Sequence, residues 1–182
     1  MRGRPPFARP QPDPVARTVI PTDRRAAYAA ANAPLRRPSV VPGVLLGVGF
    51  GGFVDGIVLH QILQLHNMLS AWVPPVTMEA MKVNMTWDGY FHAIVWTAAL
   101  AGAWGLWSAG RNARVPSAGG FLGQLIAGWG LFNLVEGAID HHLLQTHHVV
   151  DMPRHLPVFD WVFLGVGGVL FLVIGWALAR RG

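Results

Sequence analysis

With no cysteine in the chain, its chemistry rests on eight histidines and a small set of carboxylates. The lack of thiols excludes disulfides, thiolate zinc sites, iron–sulfur clusters and a cysteine nucleophile, so a metal would need His, carboxylate or Met ligands. The histidines are His60, His66, His92, His141, His142, His147, His148 and His155. Four of them belong to a pattern written twice, 81 positions apart: Asp55-Gly56-x-x-x-His60-x-Ile62-Leu63-Gln64-x-His66 and Glu136-Gly137-x-x-x-His141-x-Leu143-Leu144-Gln145-x-His147. At the same spacing Gly47 and Gly49 meet Gly128 and Gly130; a weaker echo, at a different spacing, joins Trp87-Asp88-x-x-Phe91 to Phe159-Asp160-x-x-Phe163.

Ideal α-helical geometry sorts these groups by direction and depth. It turns His60 about 140° away from Asp55, and it sets His66 roughly 16 Å further along the axis. Asp88 and His92 are four apart and share a face. Three layers are therefore expected: Asp55 with Glu136; then His60, His92, His141 and Asp140; then His66, Asp88, His147, His148 and Asp160. Imidazoles and carboxylates converging from several helices suit a first-row transition metal. His60, His92 and His141 are the expected ligands, with Asp140 or Asp88 completing or orienting the shell and His66, His147 and His148 as further candidates. Asp55 and Glu136 read as buried acids or proton-relay groups. His142 points off both stripes and His155 lies in a loop, so neither is expected to bind. The competing reading is a hydrogen-bonded polar network that staples the helices together. Met78-x-x-Met81, with Met68, Met85 and Met152 near it, offers soft sulfur for Cu(I), although apolar filling at an interface accounts for it better.

The elements that must position these groups are membrane spans. Only 13% of the residues are charged, against roughly 25% in soluble proteins, and 52% are hydrophobic. Four stretches near 43–66, 88–109, 119–145 and 158–179 are long enough to cross a hydrocarbon layer, which takes about 20 residues each. The predicted fold is all-α, an integral membrane four-helix bundle made of two repeated hairpins. Glycines in the first span favour close helix contacts. Residues 1–41 hold eight arginines among Pro and Ala and read as a disordered basic cytoplasmic arm, lying on lipid or a partner rather than on nucleic acid. That arm, the 110–118 loop and the C-terminus carry 12 of the 14 Lys and Arg residues, which predicts cytoplasmic termini and a histidine end facing outward.

The motifs Gly51-Gly52-Phe53-Val54-Asp55-Gly56, Asp88-Gly89-x-Phe91-His92 and Gly128-Trp129-Gly130-x-Phe132-Asn133-x-Val135-Glu136-Gly137 resemble a bacterial family of small predicted membrane proteins of unknown function. The resemblance covers about residues 43–176 and implies four spans in a bacterial inner membrane. Members of that family are often encoded near cytochrome oxidase and copper-assembly proteins, which makes copper the first metal expected and zinc or iron the next. Metal handling or metal-dependent redox work beside a respiratory complex is then the leading function. A non-catalytic accessory subunit of a larger membrane complex is the second. Bis-His haem ligation is third, because carboxylates crowd the histidines where haem needs an apolar slot.

Overall fold

Proline, serine and threonine mark where the helices begin. In the computed structural model, which describes residues 38–111 and 115–181, Pro42 and Pro157 stand in the first turns of their helices, where a missing N–H costs nothing. Ser117 caps its helix by accepting a hydrogen bond from Gly120 N at 3.0 Å, and Thr77 Oγ1 accepts one from Ala80 N at 3.1 Å. Among the described residues, four helices are long and apolar enough to cross a membrane: α1 (Val41–Ile62), α2 (Met78–Arg111), α3 (Ala118–Leu143) and α4 (Pro157–Ala179). No strand occurs among the described residues, so the all-α expectation holds. The anticipated arm at 1–41 lies outside the described residues except for its last few positions.

The helix that carries the second span begins at Met78, ahead of the stretch near 88–109 expected to cross the membrane. The reason is Asn84, fully buried on this early stretch of helix. Its amide donates to Val73 O at 2.8 Å and to Ala80 O at 3.1 Å, and its carbonyl oxygen accepts from Leu69 N at 3.1 Å, tying the preceding connection to α2. A polar residue that looks like a loop signal is here a clamp.

α1 and α3 form the centre of the bundle, with α2 packed on α1 and α4 packed on α3. In the most apolar stretch of each central span about half of the residues are buried, 50% in α1 and 44% in α3, against 11% in those of α2 and α4, whose apolar outer faces are suited to lipid. Glycine sets the closeness of the central pair. A Cβ on Gly47 would collide with the carbonyl oxygen of Leu125, and one on Gly128 with that of Val44, so the two backbones touch directly. The outer helices use the same device, Gly102 lying against Leu46 and Pro42 and Gly175 against Ala127 and Gly123.

One departure from α geometry governs the rest. The last turns of α1 (Asp55–Ile62) and α3 (Gly137–Leu143) are wound as π-helix, as is Phe163–Leu170 within α4. Beyond them the chain reverses at Gln64 and Gln145, with φ of 52° and 50°. This left-handed conformation is costly for a non-glycine residue and persists where the surroundings hold it. Leu65 N then donates back to Leu59 O, and Thr146 N to Asp140 O, both at 2.9 Å. The connections also grip one another: Ala71 N donates to Thr146 O at 3.0 Å, Asp151 N to Leu65 O at 2.9 Å, and Ser70 Oγ to the Asp151 carboxylate at 2.6 Å.

Candidate metal centre

The largest fully buried side chains among the described residues are His60, His66, His141, His147 and Asn84, an unusual core for any helical bundle. A small apolar cluster of Phe91, Val95 and Phe132 is also buried, and the His60 ring stacks on Phe91 with centroids 5.5 Å apart.

The π turns explain how the acids reach the histidines. In π winding the hydrogen-bonding step is five residues, so groups five apart come into register where α winding would splay them. His60 Nε2 therefore approaches Asp55 Oδ2 to 2.9 Å, and His141 Nε2 approaches Glu136 Oε1 to 3.1 Å. Neither approach has the alignment of a hydrogen bond. The reversals at Gln64 and Gln145 then fold the next histidine back under the helix end, where His66 Nε2 lies 3.8 Å from Asp55 Oδ1 and His147 Nε2 lies 2.9 Å from Glu136 Oε1. The three-layer arrangement is thus overturned. Asp55 and His66, placed on separate levels by ideal α geometry, meet because the helix unwinds to π geometry and ends between them.

The rings form one continuous group. Centroids are 4.4 Å apart for His60 and His66, 4.9 Å for His141 and His147, and 4.7 Å for the stacked pair His66 and His147. Three of the rings are held from outside through Nδ1. His60 donates to Asp88 Oδ1 at 2.9 Å, His66 to Val149 O at 2.9 Å, and His147 to Met68 O at 3.2 Å, while His141 Nδ1 faces Asp160 Oδ1 at 3.7 Å. With Nδ1 occupied as a donor, a neutral imidazole presents the Nε2 lone pair, which here points at the carboxylates. Burial holds His66 below the usual histidine pKa despite Asp55, which keeps that lone pair free. Burial works the same way on His147, but the Glu136 hydrogen bond and charge outweigh it and hold that ring above the usual value.

Several of these inward atoms have no hydrogen-bond partner: both Asp55 oxygens, Glu136 Oε2, and Nε2 of His60, His66 and His141. Buried polar atoms are costly to leave unpaired, and this concentration of them is a donor set that could hold a cation. Two overlapping sets, His60 with His66 and His147, and Glu136 with His141 and His147, present donor atoms close enough together to hold an ion.

Asp88 stands behind this group, accepting hydrogen bonds from His60 Nδ1, from Met68 N at 2.9 Å and from Asn67 Nδ2 at 2.8 Å. Asp160 accepts from Val149 N at 2.8 Å and, on its other oxygen, from both His148 at 2.9 Å and His155 at 2.8 Å, whose rings stack. His148, His155 and Asp160 make a third, shallower set with donor atoms close together, which gives His155 a place sequence reasoning did not assign it. His92 is held apart from the four buried rings: its Nδ1 donates to Asp88 O at 2.7 Å and its Nε2 is unpartnered. It borders a cleft of about 370 Å³ shared with His60, Asp88, Met81, Met85 and Met152. Asp140 accepts from Thr146 Oγ1 at 3.2 Å, and His142 lies against the Trp161 ring. The carbonyls of Met68 and Val149 orient two of the four rings, and no side-chain pattern could have announced them.

No curated protein and no solved structure matches the chain. One family model does, described as "Predicted membrane protein (DUF2243)", and the match runs over residues 42–182, from the start of α1 to the end of the chain. By that match the chain belongs to this family of membrane proteins.

Proposed function

We propose that this protein is an integral membrane metalloprotein whose His and carboxylate centre binds a first-row transition metal at the outward end of the bundle. One observation carries the reading: four buried imidazoles turn Nε2 toward Asp55 and Glu136 while other groups face or hold their Nδ1 atoms from behind. A purely hydrogen-bonded network would use those Nε2 atoms, and three of the four have no partner. The donor groups are imidazole and carboxylate, which suits iron, zinc and Cu(II) and puts the first two level with copper. A bound ion would serve metal handling or oxidative chemistry beside a respiratory complex.

The outward orientation is supported by the basic residues. Among the described residues, Arg111, Arg180 and Arg181 lie at the end of the helices remote from the histidines, and only Lys82 and Arg154 lie at the histidine end. The two hairpins are best read as copies related by a pseudo-twofold axis along the membrane normal. Reciprocal contacts between positions 81 apart, such as Gly47 with Gly128 and Ser70 with Asp151, support that relation.

Elemental analysis of the purified chain, with His60, His66, His141 and His147 each changed to Ala, tests the proposal. Metal is expected in the parent and depleted in all four variants, with His142→Ala as an unaffected control. Protein that stays folded and metal-free after growth with copper, zinc and iron would refute it.

A further inference from the structure

Building on the metal-centre reading above, we infer that the centre holds two ions, one in the triad Asp55, His60 and His66 and the other in the triad Glu136, His141 and His147. Each carboxylate is in close contact with the two histidines of its own hairpin, Asp55 at 2.9 and 3.8 Å and Glu136 at 3.1 and 2.9 Å. Two imidazoles and one carboxylate converging on one point form the facial triad that suits a divalent first-row ion and leaves further coordination positions open.

Distances favour two ions over one. Among the described residues, donor atoms close enough to share an ion fall into two overlapping sets at the centre, His60 with His66 and His147 and Glu136 with His141 and His147, and no set takes in both acids. Rings within a triad are 4.4 and 4.9 Å apart between centroids, whereas His60 lies 5.8 Å from His147 and His66 lies 6.4 Å from His141. The stacked pair His66 and His147, 4.7 Å apart and nearly parallel, joins the triads, and His147 stands within reach of both donor sets as a shared wall.

Unpaired atoms are also distributed over both triads. Asp55 leaves two oxygens without a hydrogen bond beside the unpartnered Nε2 atoms of His60 and His66, and Glu136 leaves Oε2 beside the unpartnered Nε2 of His141. One ion seated in either triad would leave the other acid buried without a cation, at a cost proteins avoid. With the outer nitrogens of His60, His66 and His147 already hydrogen-bonded, each of those rings has one nitrogen left to give.

The test is the number of ions per chain. Full-length protein in detergent, stripped with chelator and titrated with Co(II), is expected to saturate at two ions per chain by ligand-field absorption and elemental analysis. Asp55→Ala combined with His60→Ala should retain one ion, and so should Glu136→Ala combined with His141→Ala. Saturation of the parent at one ion would overturn the two-ion inference while leaving the metal-centre reading intact, and no binding at all would overturn both. Should the variants fail to fold, the parent loaded with Mn(II) decides: a spin-coupled paramagnetic resonance signal is expected, and an isolated six-line signal would refute the pairing.

Discussion

On the Asp55 side of the histidine group, Asp88 grips His60 Nδ1 at 2.9 Å, and Asn67 Nδ2 and Met68 N also donate to that carboxylate, at 2.8 and 2.9 Å. On the Glu136 side Asp160 stands 3.7 Å from His141 Nδ1, and His148 and His155 compete for its other oxygen. The inner donors correspond pair by pair, acid to acid and imidazole to imidazole. The outer supports do not. Only the inner set is constrained by the requirement to converge on a point, so the outer positions are free to exchange an amide for an imidazole and alter how firmly each ring is held.

Removing the inner acids gives the largest effect this comparison predicts. Asp55→Ala with Glu136→Ala should abolish metal binding measured by elemental analysis, because each triad then lacks its only anionic ligand. Retention of metal in the double variant would move the site away from both acids. The next largest effect concerns the symmetric crossing of α1 and α3. Gly47→Leu or Gly128→Leu should lower thermal stability in detergent by on the order of 1–3 kcal/mol or more, as overpacking does, since the new side chain meets backbone. Gly89→Ala, with nothing within 4 Å of its added Cβ, is the matched control and should be silent.

The outer supports come third. Asp88→Ala should weaken metal affinity by about 10- to 100-fold, the usual cost of losing a group that orients a ligand, and Asp160→Ala should cost less because its contact with His141 is longer. Equal losses in competition titrations would mean the tight and loose grips are interchangeable. The smallest effect is in pH dependence. His147 holds its proton above the usual histidine pKa and His66 loses its proton below it, so acidification restores the competing proton on His147 first. Metal retention followed against pH should therefore fall on the Glu136 side at a higher pH than on the Asp55 side. A single transition, unchanged by removal of either triad, would contradict that order.

The helical class and the number of spans were readable from composition and length, because lipid imposes both. The four central histidines and both acids were readable as candidates, because a paired motif of acids and imidazoles has few uses inside a membrane. Their mutual geometry was not. Asp55 and His60 are five apart, and so are Glu136 and His141, a spacing that α winding separates and π winding aligns. That spacing of five, repeated in both halves, was the available signal. The reversals at Gln64 and Gln145 carry no glycine to mark them, so the return of His66 and His147 toward the acids was invisible. His92 and Asp140 looked equivalent to the central groups by depth alone, yet local hydrogen bonds to Asp88 O and Thr146 hold them elsewhere.

X-ray absorption at the edge of the metal carried by the purified protein addresses the central claim most directly, since it reads the ligands of the ion itself. The account predicts a first shell of nitrogen and oxygen with the outer-shell scattering of coordinated imidazole, lost when His60, His66, His141 and His147 are all replaced. A shell dominated by sulfur, or an imidazole signal that survives those replacements, would place the metal elsewhere and contradict it.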